Sequence, residues 1–212
     1  MRVLITLSLF FTSIIIYAQE REFPDYRSKK ENFLRIQEKD IRSDLASFAI
    51  GGMDESIGKG KLKGIPPINY GNNFISFNGN NVRVTITGGY FDESKHKLIY
   101  YNKVHLVKID NKPYYGNYGE VPETTIESVV VVIDKDSIPI PASAYFDLYN
   151  PEFTYTDAAG VIKSYDGVYF SADKRNIYIY MLNRDKKGSY EVTWVIQDKK
   201  YLRRVVDFGF LK

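Results

Sequence analysis

Histidine is the side chain best suited to acid–base and metal chemistry near neutral pH, and this sequence contains two, His96 and His105. Asp92 and Glu93 lie just before His96, so two carboxylates and an imidazole are close together, as in a metal site. A structural zinc site needs four ligands in a tetrahedral array, and the chain has no cysteine to supply one. The segment is more typical of a turn between strands, and His105 alternates with Leu106 as a packed strand residue does. We therefore predict no metal ligand and no cofactor.

Catalysis by a nucleophile or by paired carboxylates has little support in the sequence. A serine hydrolase needs a serine activated by an oriented histidine, and no Gly-x-Ser-x-Gly turn is present. Two carboxylates could hydrolyse a glycosidic bond, and the candidates are Glu120, Glu123, Asp147 and Glu152. Because a chain with 26 acidic residues always offers such pairs, we interpret them as solvated surface and predict no catalytic residue. A small carboxylate-dependent envelope hydrolase remains an alternative function.

Two charged stretches are similar to fragments of ion-binding loops. Residues 134–137 read Asp-Lys-Asp-Ser, but the rest of a calcium loop and its closing glutamate are missing. Lys59, Lys61 and Lys63 suggest a phosphate site, but the Gly-x-x-x-x-Gly-Lys-Ser/Thr spacing is absent. We interpret the first stretch as a turn and the second as a solvated linker.

Tyrosine is the most over-represented residue, with 18 copies. Its flat apolar ring and hydrogen-bonding hydroxyl suit protein interfaces and stacking on flat surfaces. Two loops concentrate aromatic rings, the turn at 114–118, which is expected to be exposed, and the proline-rich stretch 138–151. The predicted binding residues are Tyr114, Tyr115, Tyr118, Tyr145, Phe146 and Tyr149. Two structural alternatives stay open: half-buried tyrosines that only cover sheet faces, and a proline-rich stretch folded down as a lid on its own sheet, which is favoured for that loop.

The first eighteen residues determine the expected compartment. Arg2 gives a positive start, residues 3–18 are almost wholly apolar, and Ala18 is a small residue at the expected cleavage point. The lack of cysteine excludes disulfides and a lipid-attached amino terminus, and the lack of Asn-x-Ser/Thr sites favours a bacterial envelope. We expect residues 1–18 to be a signal peptide, whose removal leaves a periplasmic or secreted protein without a stable membrane span. The alternative is that this stretch is retained as an anchor.

Composition limits the class of protein. Hydrophobic residues make up 44% of the chain and aromatic residues 15%, as expected for a chain that buries a core. The net charge of +3 is too nearly balanced for a dedicated nucleic-acid-binding protein. Residues 19–212 are enough for one substantial domain or two small ones.

The N-terminal part of the mature chain has a helical pattern. Residues 28–31 have the Ser-x-x-Glu form of a capping box, and apolar side chains recur at spacings near three to four: Phe33, Ile36, Ile41, Leu45 and Phe48. The pattern predicts one amphipathic helix from about Lys29 to Ala49, ended by two glycines and docked by its apolar face. Glycine and proline at 53–67 predict a loop or linker. The expected organisation is a helix and linker at 19–67 and a β-domain at 68–212.

From Asn73 onward the hydrophobic period changes to two, as in strands. The predicted strands are Phe74–Phe77, Val82–Thr87, Lys97–Asn102, Val104–Ile109 and Glu127–Ile133. The run Val129–Ile133 is apolar on both faces, which predicts a central strand covered on both sides. Three further strands, Asn176–Leu182, Ser189–Ile196 and Tyr201–Phe208, have short polar connectors and predict an antiparallel meander with Trp194 facing the core.

These patterns predict a mainly β protein, an antiparallel sandwich-like domain with one N-terminal amphipathic α-helix packed on it. The expected function is that of a non-catalytic binding module, which contacts a protein or glycan partner of the cell envelope through its tyrosine-rich loops. A structural component of an envelope assembly is a further alternative.

Overall fold

A computed structural model of the chain describes residues 30–58, 60–184 and 187–209. The expected signal peptide and the capping serine at position 28 lie outside the described residues. The protein is mainly β, and every ladder between its named strands is antiparallel. The strands, in chain order, are β1 (Lys63–Ile65), β2 (Pro67–Gly71), β3 (Phe74–Gly79), β4 (Val82–Tyr90), β5 (Leu98–Tyr101), β6 (His105–Ile109), β7 (Thr124–Ile133), β8 (Asp136–Ile138), β9 (Tyr155–Thr156), β10 (Ile162–Lys163), β11 (Gly167–Phe170), β12 (Asn176–Asn183), β13 (Tyr190–Gln197) and β14 (Lys200–Phe208).

Two five-stranded sheets account for most of these strands. The first has the order β1-β11-β12-β13-β14, and the second has the order β2-β3-β4-β7-β8. Alternate side chains of both sheets enter one apolar cluster, which includes Phe77 and Val131 from the second sheet and Trp194 from the first. The two-residue period along each strand therefore decides which side chains enter this shared core.

The predicted C-terminal meander is confirmed. Strands β12, β13 and β14 pair in sequence order, each antiparallel to the next. On β13, Tyr190 and Trp194 lie in the shared core, as their alternation predicts. The opposite face of this sheet is buried too, because Val195 packs against the N-terminal segment.

The prediction of a single long helix from Lys29 to Ala49 is wrong. The described residues form two short helices, α1 (Glu31–Leu34) and α2 (Lys39–Leu45), followed by a 3₁₀ turn at Ile50–Gly52. A straight helix would turn a residue five positions on by about 140°, so Ile36 and Ile41 could not share one face. The break between the helices lets both side chains pack against the first sheet.

The stretch 53–67, expected to be a loop, contributes to both sheets. Strand β1 pairs with β11 at the edge of the first sheet, and β2, which begins at Pro67, pairs with β3 at the edge of the second. Ile65 is buried in the shared core. The expectation of a structureless linker is therefore wrong for residues 63–65 and 67.

Strand β7 lies inside the second sheet, between β4 and β8, but only one of its faces is covered. Val129, Val131 and Ile133 point into the shared core, whereas Val130 is 48% exposed. The N-terminal segment packs on the first sheet, so the described residues leave this outer face of the second sheet open. The expectation that both faces of β7 are covered is wrong.

The β5–β6 hairpin forms a two-stranded sheet of its own, separate from the two large sheets. It rests on a small apolar cluster that includes Leu106 and Ile109 of β6. A second two-stranded sheet joins β9 and β10. The hairpin is the larger of the two additions and is the element that the predicted aromatic loops support.

Candidate functional site

The two predicted aromatic loops lie side by side in the structure. The backbone amide of Tyr115 donates to the carbonyl of Asp147 at 2.9 Å, and the amide of Tyr149 donates to the carbonyl of Tyr115 at 2.9 Å. The proline-rich loop also packs against the first sheet, because the Trp194 indole N–H donates to the Ala144 carbonyl at 2.8 Å. These contacts make the loop a cover over β13, as the lid interpretation expected.

The six predicted binding residues are less exposed than expected. Tyr114 and Tyr149 are buried, and the other four, Tyr115, Tyr118, Tyr145 and Phe146, are half-buried. The Tyr114 hydroxyl accepts a hydrogen bond from the Gly119 amide at 3.1 Å and donates to the Leu106 carbonyl at 3.2 Å. Burial raises the pKa of Tyr114 to about 12, so the hydroxyl stays neutral. The expectation that this turn is an exposed cluster is wrong for Tyr114.

The buried tyrosines form the base of the β5–β6 hairpin. Tyr114 and Tyr149 pack edge to face, with ring centroids 5.9 Å apart, and Phe91 meets Tyr149 in the same manner at 5.3 Å. These rings join Leu106 and Ile109 in one cluster. Tyr114 and Tyr149, two of the six predicted binding residues, therefore hold the hairpin in position.

Replacing Tyr114 with phenylalanine tests this structural role. The change removes the acceptor of the buried Gly119 amide, and an unsatisfied buried donor costs about 1–3 kcal/mol. We expect the free energy of unfolding, measured by urea denaturation, to fall by this amount. Tyr90→Phe is the control, since this ring is 91% exposed and its hydroxyl contributes less than about 0.5 kcal/mol. Equal stability of the two variants would contradict the assigned role of Tyr114.

The two histidines lie at opposite ends of the hairpin, His96 at its base and His105 beside the turn, opposite Tyr101 of β5. The Nδ1 atom of His96, which precedes β5, lies 2.7 Å from Oδ2 of Asp110, which follows β6. The other Asp110 oxygen accepts from the Lys97 amide at 2.8 Å. The hydrogen bond from His96 is the main reason that the pKa of Asp110 lies below its usual range. The His105 ring packs edge to face on Tyr118. Among the described residues, no three His, Asp or Glu side chains are placed to hold a metal ion.

The tip of the hairpin carries the exposed apolar surface that the base supports. Asn102 and Lys103 both have positive φ, 51° and 60°, as in a type I′ turn whose twist matches that of its strands. Beside this turn, Val104 is 80% exposed, and Tyr100 and Tyr101 are exposed as well. These two tyrosines are not among the six binding residues predicted from the sequence. The usable signal was an Asn-containing turn flanked by apolar residues.

The four acidic candidates for hydrolysis are mostly bound to cationic or backbone partners. Asp147 is buried and accepts two hydrogen bonds from the guanidinium of Arg204. Glu120 pairs with Lys187 at 2.7 Å, and Glu152 accepts from the Arg184 amide at 3.2 Å. Glu123 is exposed. Glu120, Asp147 and Glu152 therefore bind other parts of the protein and connect its loops.

A different pair of carboxylates lies inside the molecule, under the N-terminal segment. Glu191 and Asp207 are opposite each other on β13 and β14, and both are buried. Glu191 accepts from the amides of Ile50 and Gly51, each at 2.7 Å. Asp207 accepts from the Asn32 and Phe33 amides at 3.1 and 3.2 Å. The first sheet therefore caps the starts of helix α1 and of the 3₁₀ turn, neither of which has a cap from its own N-cap side chain.

Burial affects the protonation of both acids. It is the largest cause of the rise in the pKa of Asp207 to about 7, and the nearby negative charge of Glu191 adds to it. Burial also raises the pKa of Glu191, against hydrogen bonds from Gly51, Tyr180 and Ile50 that lower it. Gly51 lies between the two groups, since a Cβ atom there would be 3.1 Å from an oxygen of each. The arrangement anchors the N-terminal segment and keeps a proton near neutral pH.

Comparison of the chain with protein-family models, with characterised proteins and with solved structures finds no match in any of the three. Within the part of the chain that the structure describes, no helix has both the length and the apolar composition needed to cross a membrane. A function for this protein must therefore be argued from its own surface.

Proposed function

We propose that the protein is a non-catalytic binding module of the periplasm or the cell exterior, in which a β-sandwich body presents the β5–β6 hairpin to a protein partner. The observation that carries the proposal is the exposed group of Tyr100, Tyr101 and Val104 at the hairpin tip. The shared core of the two large sheets supports the sandwich, and the apolar residues 3–18 support the export.

The rigidity of the hairpin base favours binding at its tip. The contact between His96 and Asp110 joins the start of β5 to the end of β6. Tyr114 and Tyr149 pack against the buried side chains of β6. A surface that is already ordered loses little conformational entropy when it binds, so more of the contact energy appears as affinity. Tyrosine is also enriched among the residues that contribute most to protein interfaces.

The shape of the region favours a protein partner over a small molecule. Clefts of about 350, 430 and 770 Å³ lie elsewhere in the described residues, and none of these three is lined by a residue of the hairpin. A projecting tip with apolar side chains fits a groove on a partner surface, whereas small ligands bind in concave sites. A glycan that stacks on the exposed rings is the other outcome to be tested.

The experiment compares capture by three forms of the protein. The hairpin variant carries Tyr100→Ser, Tyr101→Ser and Val104→Ser, and the control carries Val130→Ser, Val161→Ser and Ile162→Ser, which are exposed apolar residues outside the hairpin. A partner retained from an envelope extract is identified by mass spectrometry, purified and titrated against each form. We expect the hairpin variant to bind about 100-fold more weakly, because it removes two candidate hot-spot tyrosines. The control should bind like the unchanged protein.

Thermal melts first establish that both variants remain folded. Unchanged affinity of a folded hairpin variant for the purified partner would contradict the proposal. Retention on an insoluble polysaccharide, lost only in the hairpin variant, would replace the protein partner with a glycan.

A further inference from the structure

The largest of these three clefts is lined by turns of both large sheets. It has a volume of about 770 Å³. Its walls come from the segment that leads into β1, the β3–β4 turn, the β7–β8 turn and the β11–β12 turn. The sequence pattern predicts a solvated linker for the basic run that begins this region. In the structure, Lys61 and Lys63 of that run line the cleft.

The charges of the cleft favour an anionic ligand. Lys61, Lys63 and Lys174 line it, are exposed, and make no ion pair with the described residues. The two acidic residues in the lining both have partners. Asp44 accepts from the Tyr178 hydroxyl at 2.8 Å, and Asp134 pairs with Lys199 at 2.6 Å. The three lysines therefore outnumber the two carboxylates, of which Asp134 already has a cationic partner in Lys199.

The floor and rim of the cleft favour a sugar-like body on that ligand. The floor is made by strand ends from both sheets, namely Val82, Ile133, Phe170 and Ile177. Asn80 and Asn81 line the same cleft, and a side-chain amide is a group that can bind sugar hydroxyls. Phe170 is the only aromatic residue among the described lining residues, and it is buried. A single-stranded nucleic acid needs exposed rings for its bases, so this lining does not suit one.

The basic surface continues beyond the rim of this cleft. A second cleft, of about 350 Å³, shares Asn81, Val82 and Asp134 with the first and adds Arg83 and Lys135. Positively charged side chains thus lie in both clefts, on either side of shared residues of the β3–β4 and β7–β8 turns. An extended chain with repeated negative charges could contact both, which a single small anion could not.

We propose that these two adjoining clefts bind an anionic polysaccharide, through Lys61, Lys63 and Lys174 and the amides of Asn80 and Asn81. The site uses none of the hairpin residues, so it is independent of the protein partner proposed above. The ligand class is defined by carboxylate or sulfate groups on a sugar chain, and the test separates these two sources.

Isothermal titration calorimetry at low salt and at about 0.15 M salt tests the site with three polymers, polygalacturonate, dextran sulfate and neutral dextran. We expect one or both anionic polymers to bind and neutral dextran not to bind. The site variant carries Lys61→Gln, Lys63→Gln and Lys174→Gln. We expect its affinity to fall about 10-fold, as for the loss of three solvent-exposed charge contacts.

The matched control removes the same charge elsewhere, through Lys39→Gln, Lys97→Gln and Lys103→Gln, at exposed lysines outside both clefts. Its affinity should stay within about twofold of that of the unchanged protein. Equal losses in the two variants would indicate general charge attraction and overturn the proposal, as would the failure of both anionic polymers to bind. Tighter binding of an oligothymidylate with the same lysine dependence would also overturn it, in favour of a nucleic-acid site. The hairpin variant should bind the polymers normally, so the two proposals fail separately.

Discussion

Replacing Asp207 with asparagine is expected to remove a large part of the pH dependence of stability. The pKa of Asp207 rises from 3.8 to about 7 on folding, so the folded protein keeps a proton that the unfolded chain has lost. The stabilisation from this proton is fully present below the unfolded pKa and is lost as the pH rises through the folded value. Because each pKa unit corresponds to about 1.4 kcal/mol, the free energy of unfolding should fall by about 4 kcal/mol between pH 4 and pH 8.

The direction of this effect follows from the surroundings of the carboxyl group. Asp207 is buried, it faces Glu191 across the β13–β14 ladder, and no cation among the described residues pairs with it. Two buried carboxylates this close cannot both ionise without strong repulsion. The amides of Asn32 and Phe33 offset only part of that cost. Deprotonation therefore weakens the attachment of the N-terminal segment rather than strengthening it.

An amide at position 207 is uncharged, like the protonated acid, but it keeps only one acceptor oxygen for the two backbone amides of Asn32 and Phe33. We expect Asp207→Asn to be about 1–3 kcal/mol less stable than the parent near pH 5, because one buried amide loses its acceptor, and to lose most of the parent's fall in stability between pH 5 and pH 8. Urea denaturation at intervals of pH measures both curves. Asp136→Asn, an exposed aspartate, is the matched control and should keep the slope of the parent. A parent protein whose stability rises steadily from pH 5 to pH 8 would contradict the assignment.

The sheets were predictable because their signals are local. A strand such as β13 alternates apolar and polar side chains, and a short polar turn leaves it little choice of neighbour. The paired strands β12 and β14 follow from the same reasoning, and the structure has all three in that order. The assignment of Trp194 to the core needed only its position in this alternation.

The site was less predictable because its contacts join distant parts of the chain. Tyr114 looks like a turn residue, and it is buried because its loop meets the chain near Asp147. Glu191 points to the face of β13 opposite the shared core, and the same face of a surface strand is exposed to water. It is buried because residues 50 and 51, which are 141 and 140 positions away in the sequence, dock on it. No local pattern carries that information, so the buried acids and the hairpin base appear only in the folded molecule.

Truncation of the single tryptophan should have the other large effect. Trp194 is fully buried on β13, an interior strand between β12 and β14, where side chains of both large sheets surround it. Trp194→Ala removes this contact area and leaves a cavity, which costs about 3–5 kcal/mol. For a domain of this size, that loss lowers the melting temperature by about 6–20 °C. Differential scanning calorimetry measures it directly, with Leu202→Ala as the control at an exposed position of β14.

A milder variant separates packing from hydrogen bonding at the same position. Trp194→Phe keeps most of the apolar contact but removes the indole donor to the Ala144 carbonyl. Arg204 also reaches this carbonyl, at 3.3 Å, so the acceptor keeps one partner. We therefore expect Trp194→Phe to cost about 1–2 kcal/mol, well below the alanine variant. If both variants melted like the parent, Trp194 would not lie between the sheets, and the lid that rests on it would need another anchor.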